Sequence, residues 1–374
     1  MLRSHLVNTY EEQRQARDTL SKAGVSLAGR KNKLIFMSWH RRYGRFTESY
    51  TRMRRAMLKL EEWAGENCPP LLHSLSPGLG WMGGESIPVR ELLSVVSDSP
   101  AMRDFLMAYH LHDGQRRVER FLGFGLFGSY ECYGEFCSLS WLPSRMLQVV
   151  EMGRFSILIF AWCSVSKNYL GVVVGCPEAH ADHIMHHVIQ LQPGSHRFVD
   201  KGLFGMFFQT YIDDLAAGHY DVYNGLVSMM PNCGPNTSTS FTRGIRTTVS
   251  ALFCPDETPE YRVYRYQVTF QLVDPEELGY PSVQLKSRSW LAHYENSQYT
   301  QSNGAGVVGE FPTISEKRPY FRYCSRIVDE IEGLLLVGFE GGFTMVPGTL
   351  DSPLGREFTL PVPYLEVPIP LEIL

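Results

Sequence analysis

Residues 264–272 read Tyr264-Arg-Tyr-Gln-Val-Thr-Phe-Gln-Leu272, and their period of two decides the fold of the second half of the chain. Tyr264, Tyr266, Val268, Phe270 and Leu272 alternate with Arg265, Gln267, Thr269 and Gln271. Successive side chains of a strand point to opposite faces, so this pattern predicts a half-buried strand with one face on a core and one in water. Upstream, Ile245, Thr247, Val249, Ala251 and Phe253 alternate with polar or small neighbours in the same way. Downstream, short strands are expected around Val283–His293, Pro319–Tyr323, Gly342–Val346, Glu357–Leu360 and Tyr364–Ile369, with turn residues between them. Residues 241–374 are therefore expected to form an all-β sandwich.

Ahead of the sandwich, Ser228–Ser240 is rich in Pro, Asn, Ser and Thr and reads as a linker. Residues 47–227 read as one α+β domain with a leading helix. Thr47 opens that helix, Tyr50, Met53, Met57 and Leu60 line one face, and Cys68-Pro69-Pro70 stops it. Pro88 starts a second helix with Val89, Leu92, Leu93 and Val96. Ser99-Pro100 starts a third with Met102, Phe105, Leu106 and Tyr109 on one side and Gly114 beyond its end. Phe155–Trp162 and Tyr169–Val174 read as buried strands around a turn at Ser164–Asn168, and Leu203–Ala217 as a helix stopped by Gly218.

With 374 residues the chain is too long for one ordinary core. Its 44% hydrophobic and 20% charged composition excludes a mostly disordered protein. The net charge of −4 hides an uneven spread, because residues 1–60 hold 14 Lys and Arg against 4 Asp and Glu. Residues 1–46 thus read as a basic arm, facing an acidic partner or the acidic body of its own chain. No nucleic-acid partner follows from the overall charge. The eight cysteines form no C-x-x-C pair. The start has no apolar signal core, and the apolar run Phe155–Val165 is too short to cross a bilayer. Free thiols in a cytoplasmic or nuclear setting are the expectation, with no membrane association.

Two segments match G-x-G-x-x-G, Gly123–Gly128 and Gly304–Gly309, but neither lies between a strand and a helix as a dinucleotide site requires. Gly304, Gly306 and Gly309 instead read as positions that define a tight loop between sandwich strands, with cupping of an anion by backbone N–H groups as the alternative. His180, His183, His186 and His187 fall close together, yet H-E-x-x-H is absent and a polar connection before Pro193-Gly194 is the simpler reading. Asp213-Asp214 reads as a surface pair, and His110, His112 and Asp113 as partners of a helix end. No catalytic group, metal site or cofactor site assembles from these residues. The chain reads as a binding protein rather than an enzyme.

Gly304-Ala-Gly-Val-Val-Gly-Glu-Phe-Pro-Thr-Ile-Ser315, with Tyr320-Phe-Arg-Tyr-Cys-Ser325, resembles the signature of ApaG domains, which are immunoglobulin-like or fibronectin-like sandwiches. Gly244–Ser250, Tyr261–Leu272, Gly341–Leu350 and Tyr364–Leu371 resemble the opening and closing strands of that domain. The preceding region, through Tyr109-His-Leu-His-Asp-Gly-Gln115 and the Gly123–Gly128 turn, is similar to the SUKH family. With Trp39-His-Arg-Arg-Tyr-Gly44 ahead, this order resembles F-box proteins that carry SUKH and ApaG domains. The resemblance implies a substrate receptor in a Skp–Cullin–F-box ubiquitin ligase: an F-box holding a Skp-type adaptor and cullin, and the two domains holding a target protein for ubiquitination. The F-box should precede Trp39, and residues 1–38 show no Leu-Pro start and lack room for its three helices. The loop also has Glu316-Lys317-Arg318 where the family usually carries a Pro-Gly turn. A phosphate- or pyrophosphate-binding protein without ligase coupling is the alternative reading.

Overall fold

The computed structural model describes residues 47–78, 99–116, 125–132, 135–163, 168–177, 183–191, 197–223, 225–254, 262–328 and 334–372. The basic arm 1–46, the helix expected from Pro88, and Gly123, His180 and Pro193-Gly194 lie outside the described residues. The chain divides into two compact units, Met1–Thr51 and Arg52–Leu374.

Helix α1 (Thr47–Asn67) buries Met53, Met57, Leu60 and Ala64 and leaves Arg54 and Arg55 in water, as the 3–4 spacing requires. Pro69 then sits in the first turn of α2 (Pro69–Ser74), where its missing N–H has no helical partner to lose. Strand β1 (Leu75–Pro77) follows. In α3 (Pro100–Leu111) the Ser99 side chain accepts the Met102 N–H at 3.2 Å, and Met102, Phe105 and Tyr109 are buried. The next strands are β2 (His112–Gln115), paired with β1, then β3 (Ser129–Cys132), β4 (Glu135–Ser138), β5 (Ser140–Trp141) and β6 (Gln148–Met152). The expected buried pair appears as β7 (Phe155–Trp162) and β8 (Tyr169–Gly175), antiparallel, and β9 (His187–Leu191) and β10 (Arg197–Leu203) extend the same sheet. Helix α4 (Phe204–Ala216) is stopped by Gly218 at φ 75°. Its Phe204 and Phe208 meet Phe105, Phe127, Phe160 and Trp141 in one aromatic core.

Strands β11 (Tyr220–Tyr223) and β12 (Leu226–Pro231) form a small sheet in the order β11-β12-β3-β4. Then comes β13 (Thr237–Thr242), so the stretch read as a linker from Ser228 to Ser240 carries most of β12 and β13, with a turn only between them. The reason lies in what surrounds it. Met230 is buried, and the hydroxyls of Ser238 and Ser240 donate to the carbonyls of Pro363 and Pro361.

The sandwich is built from β14 (Ile245–Cys254), β15 (Val263–Leu272), the single-turn α5 (Pro275–Leu278), β16 (Ser282–Tyr294), β17 (Tyr299–Ala305), β18 (Thr313–Ser315), β19 (Tyr320–Val328), β20 (Leu336–Pro347) and β21 (Phe358–Glu366). One sheet runs β13-β14-β15-β19 and the other β17-β16-β20-β21, with β18 also on β16. Trp290 anchors the core between them, edge-on to Phe339 and Phe343 at 5.2 and 5.4 Å and against Tyr266 at 5.3 Å. The two short strands expected at Glu357–Leu360 and Tyr364–Ile369 are one strand, β21. Pro361 and Pro363 did not end it because it lies at a sheet edge, where a missing N–H breaks no central ladder.

The expected wet face of β15 is the larger correction. Arg265 is 2% exposed and Gln267 6%, so this strand is buried on both faces from Val263 to Val268, while Thr269 and Gln271 stay partly exposed. Strands β3 and β12 of the first half lie against β19 and β14. There the Arg265 guanidinium is 5.5 Å from the Tyr130 ring centre, and the Tyr130 hydroxyl is 3.6 Å from Cys254 Sγ. Arg322 stacks on Tyr223 at 4.1 Å along the same seam. A short strand, β22 (Leu371–Glu372), returns to pair with Phe198 and Arg197 of β10. Both halves belong to one compact unit.

Tyr130→Ala should destabilise the chain by about 3 kcal/mol, the usual cost of deleting a buried ring. Scanning calorimetry should show one transition for residues of both halves, and two separated transitions would refute a cooperative seam. A second expectation concerns pH. Burial pushes the His110 imidazole down to about 4. The unfolded chain then binds more protons than the folded one between roughly pH 6.5 and 4, so stability falls as pH is lowered through that window. In urea titrations at pH 7, 5.5 and 4.5, His110→Gln should flatten that decline.

Candidate functional site

The glycine loop leaves the sandwich at the end of β17. Gly304 lies opposite Arg288 of β16, and the Arg288 guanidinium covers it so closely that a Cβ there would be 2.5 Å from Nη1. Arg288 Nη1 then donates to the Gly306 carbonyl at 2.9 Å. Gly306 has φ 59°, and a Cβ on it would lie 2.4 Å from the Glu310 carbonyl oxygen, so glycine is required twice over. Val307, fully buried in the sandwich core, exchanges two backbone hydrogen bonds with Glu310 at 2.9 and 2.7 Å. Between them Val308 and Gly309 form a two-residue tip with φ 45° and 82°, both left-handed as a tight hairpin demands. Gly309 has open space around it, so only its backbone angle calls for glycine.

Val308 is the unusual member. A β-branched side chain at positive φ is strained by about 1–3 kcal/mol, and this one is 43% exposed. Exposed Phe311 follows it, with its carbonyl held by Gln284 Nε2 at 2.9 Å. Gln284 Oε1 in turn accepts the Leu350 N–H at 2.8 Å, tying this loop to the one after β20. The Glu316-Lys317 tip after β18 is closed by paired backbone bonds between Ser315 and Arg318 at 3.1 and 3.0 Å. A tight turn therefore forms without Pro-Gly.

Three of the loop's N–H donors, and its arginine, are already taken. The N–H groups of Gly306, Val307 and Glu310 are bound to Lys286, Glu310 and Val307 carbonyls. Arg288 is turned onto the loop's own carbonyl. The side chains turned outward at the tip, Val308 and Phe311, make an apolar knob. Sequence reasoning placed the glycines but missed Arg288, whose role becomes visible only once the β16–β17 register pairs it with Gly304.

The other residues singled out in the sequence are not assembled into a site. His187 opens β9 and bonds Asp200 at 2.9 Å, His186 donates its backbone N–H to Val173 at 2.8 Å, and His183 is exposed. Among the described residues no three His, Cys, Asp or Glu side chains are placed to hold a metal. Asp213 pairs with Lys59 at 2.6 Å, and that hydrogen bond holds its carboxyl below the usual range, while Asp214 pairs with His219 at 3.0 Å. His112 bridges Glu61 and the Ser76 carbonyl, and Asp113 accepts the Ser144 N–H. Gly125 and Gly128 serve packing: a Cβ on Gly128 would lie 2.7 Å from Met229 Cα. No described helix is long and apolar enough to cross a membrane.

Val308→Asn should stabilise the loop by roughly 0.5–1 kcal/mol, because Asn tolerates the left-handed region that Val resists. Gly306→Val should cost about 2 kcal/mol or more through both strain and the Glu310 clash. Thermal melts of the two variants read both effects. Calorimetric titration with pyrophosphate should give no binding tighter than roughly millimolar. A tighter complex abolished by Gly306→Val would restore the anion reading.

Residues 255–347 match the family model of the ApaG domain. Protein ApaG of Shewanella piezotolerans is 31% identical over 113 residues, which cover 30% of this chain and 80% of that protein. F-box protein SKIP16 of Arabidopsis thaliana is 30% identical over 160 residues, 39% of this chain and 34% of that protein. F-box only protein 3 of Homo sapiens is 22% identical over 313 residues, 77% of this chain and 61% of that protein. The chain thus spans about a third of the plant protein's length and about three fifths of the human protein's. It belongs to the family of ApaG-domain proteins, with F-box proteins among its relatives.

Proposed function

We propose that this chain is a non-catalytic recognition subunit, of the substrate-receptor type, in a Skp–Cullin–F-box ubiquitin ligase. The observation that carries the reading is the breadth of one similarity. The match to F-box only protein 3 covers 77% of the chain, so it extends well beyond the ApaG segment into the first half. In this reading the first half is a SUKH-like domain, and it works with the sandwich as one rigid surface because the seam around Arg265 and Tyr130 joins them. The knob of Val308 and Phe311, held stiffly by Arg288 and Gln284, is the natural contact point for a target protein. Rigid presentation lowers the entropy lost on binding. An F-box would hold a Skp-type adaptor and cullin, and ubiquitin transfer would fall to another subunit. The setting is the cytoplasm or nucleus, where such ligases act.

Co-purification tests ligase membership. The complete gene product, tagged and expressed with its native Skp-type adaptor, should recover adaptor and cullin in one complex. Failure to recover either would remove ligase membership. Loss of adaptor binding on Val308→Ser would argue against the loop as a target site, since a target contact should leave adaptor capture unchanged.

A further inference from the structure

The outward face of the β17-β16-β20-β21 sheet carries an arrangement that recognition by the loops leaves unused. Tyr299 stands directly opposite His293 in the β16–β17 ladder, so both side chains share one face. Phe339 and Leu365 point into the core, which turns Glu340, Tyr364 and Glu366 outward. Gly338, the β20 partner of both His293 and Glu366, has no side chain. The Tyr364 ring lies in that space, and a Cβ on Gly338 would be 2.4 Å from its Cζ. The His293 ring stands at 74° to it with centroids 5.5 Å apart, and His293 Nε2 is 3.0 Å from Glu340 Oε1. Tyr364 remains 45% exposed and Tyr299 65%.

Apart from His293, which bonds Glu340, charge on this face is one-sided. Strands β17, β20 and β21 contain no lysine or arginine. The two cations of β16 are engaged elsewhere, Lys286 with Glu357 at 2.6 Å and Arg288 with the Gly306 carbonyl. Glu340 and Glu366 therefore sit beside an exposed ring with no lysine or arginine of the sheet to balance them. An aromatic face has negative electrostatic potential, and adjacent carboxylates deepen it. Two rings at a steep angle with acids at their rim complement a cation on an aliphatic stem better than a metal ion, which would need convergent oxygen or nitrogen donors.

We infer that this face binds a lysine or arginine side chain from a basic, extended segment of a partner protein. The cation lies against the Tyr364 ring between Glu340 and Glu366, and Tyr299 covers the stem. The inference rests on the recognition reading only in taking a protein as the partner. Peptide binding and adaptor capture are read separately, so either can fail alone.

The test is calorimetric titration of the full chain with a Gly/Ser decapeptide carrying three lysines, against the same peptide with glutamines. Only the lysine peptide should bind, and binding should weaken as salt rises because the attraction is partly screened. Tyr364→Ala should weaken it about two- to fivefold, the size of an exposed cation–π contact, while Tyr364→Phe keeps it. Glu340→Gln combined with Glu366→Gln should weaken it about tenfold or more, with circular dichroism confirming the fold of each variant. Equal binding of both peptides, or affinity untouched by these substitutions, would overturn the proposal. So would Tyr364-dependent dimerisation by light scattering, which would make the face a contact between copies of this chain.

Discussion

From Val263 to Val268 strand β15 has no solvent face, and the architecture follows from how that constraint is met. Tyr264, Tyr266, Val268 and Phe270 fill the sandwich core, while Arg265 and Gln267 on the other side are nearly as deeply covered. A guanidinium removed from water is costly unless its surroundings compensate it. The Tyr130 ring supplies part of that compensation from the first half. Undocking the halves would therefore expose both the ring and the apolar flank of the seam. Within Arg52–Leu374 that favours two halves that move together over two modules on a string.

The rigidity reaches the loops. Arg288 links the β16 ladder to the glycine loop, Gln284 links that loop to the one after β20, and Val307 pins it to the core. The strain at Val308 persists because these contacts outweigh it.

Much of this was readable from residue order. The alternation at Tyr264–Leu272, the helix stripe of Met53, Met57 and Leu60, and the Ser99-Pro100 start all correspond to described elements. The failures have physical causes. A period of two reports which side chains are polar, but not whether water or another part of the chain covers them; hence Arg265 and Gln267. The Ser- and Thr-rich β13 looked like a linker because its hydroxyls bond to β21 carbonyls across a gap that no local pattern reveals. Edge strand β17, Tyr299–Ala305, has both faces largely wet and so shows no alternation to detect. The glycine loop was legible through its spacing, whereas the arginine that fixes it was not, since cross-strand register is a tertiary fact.

The pairing of β22 with β10 also bears on how the molecule is made. During synthesis the β10 edge of the first half has to wait, unpaired, until residues 371 and 372 have left the ribosome. Contacts between such distant points in sequence form late and slowly. A nascent first half with an open strand edge is vulnerable to wrong partners in the interval, so holding it by a chaperone until residues 371 and 372 emerge would raise the yield of native protein.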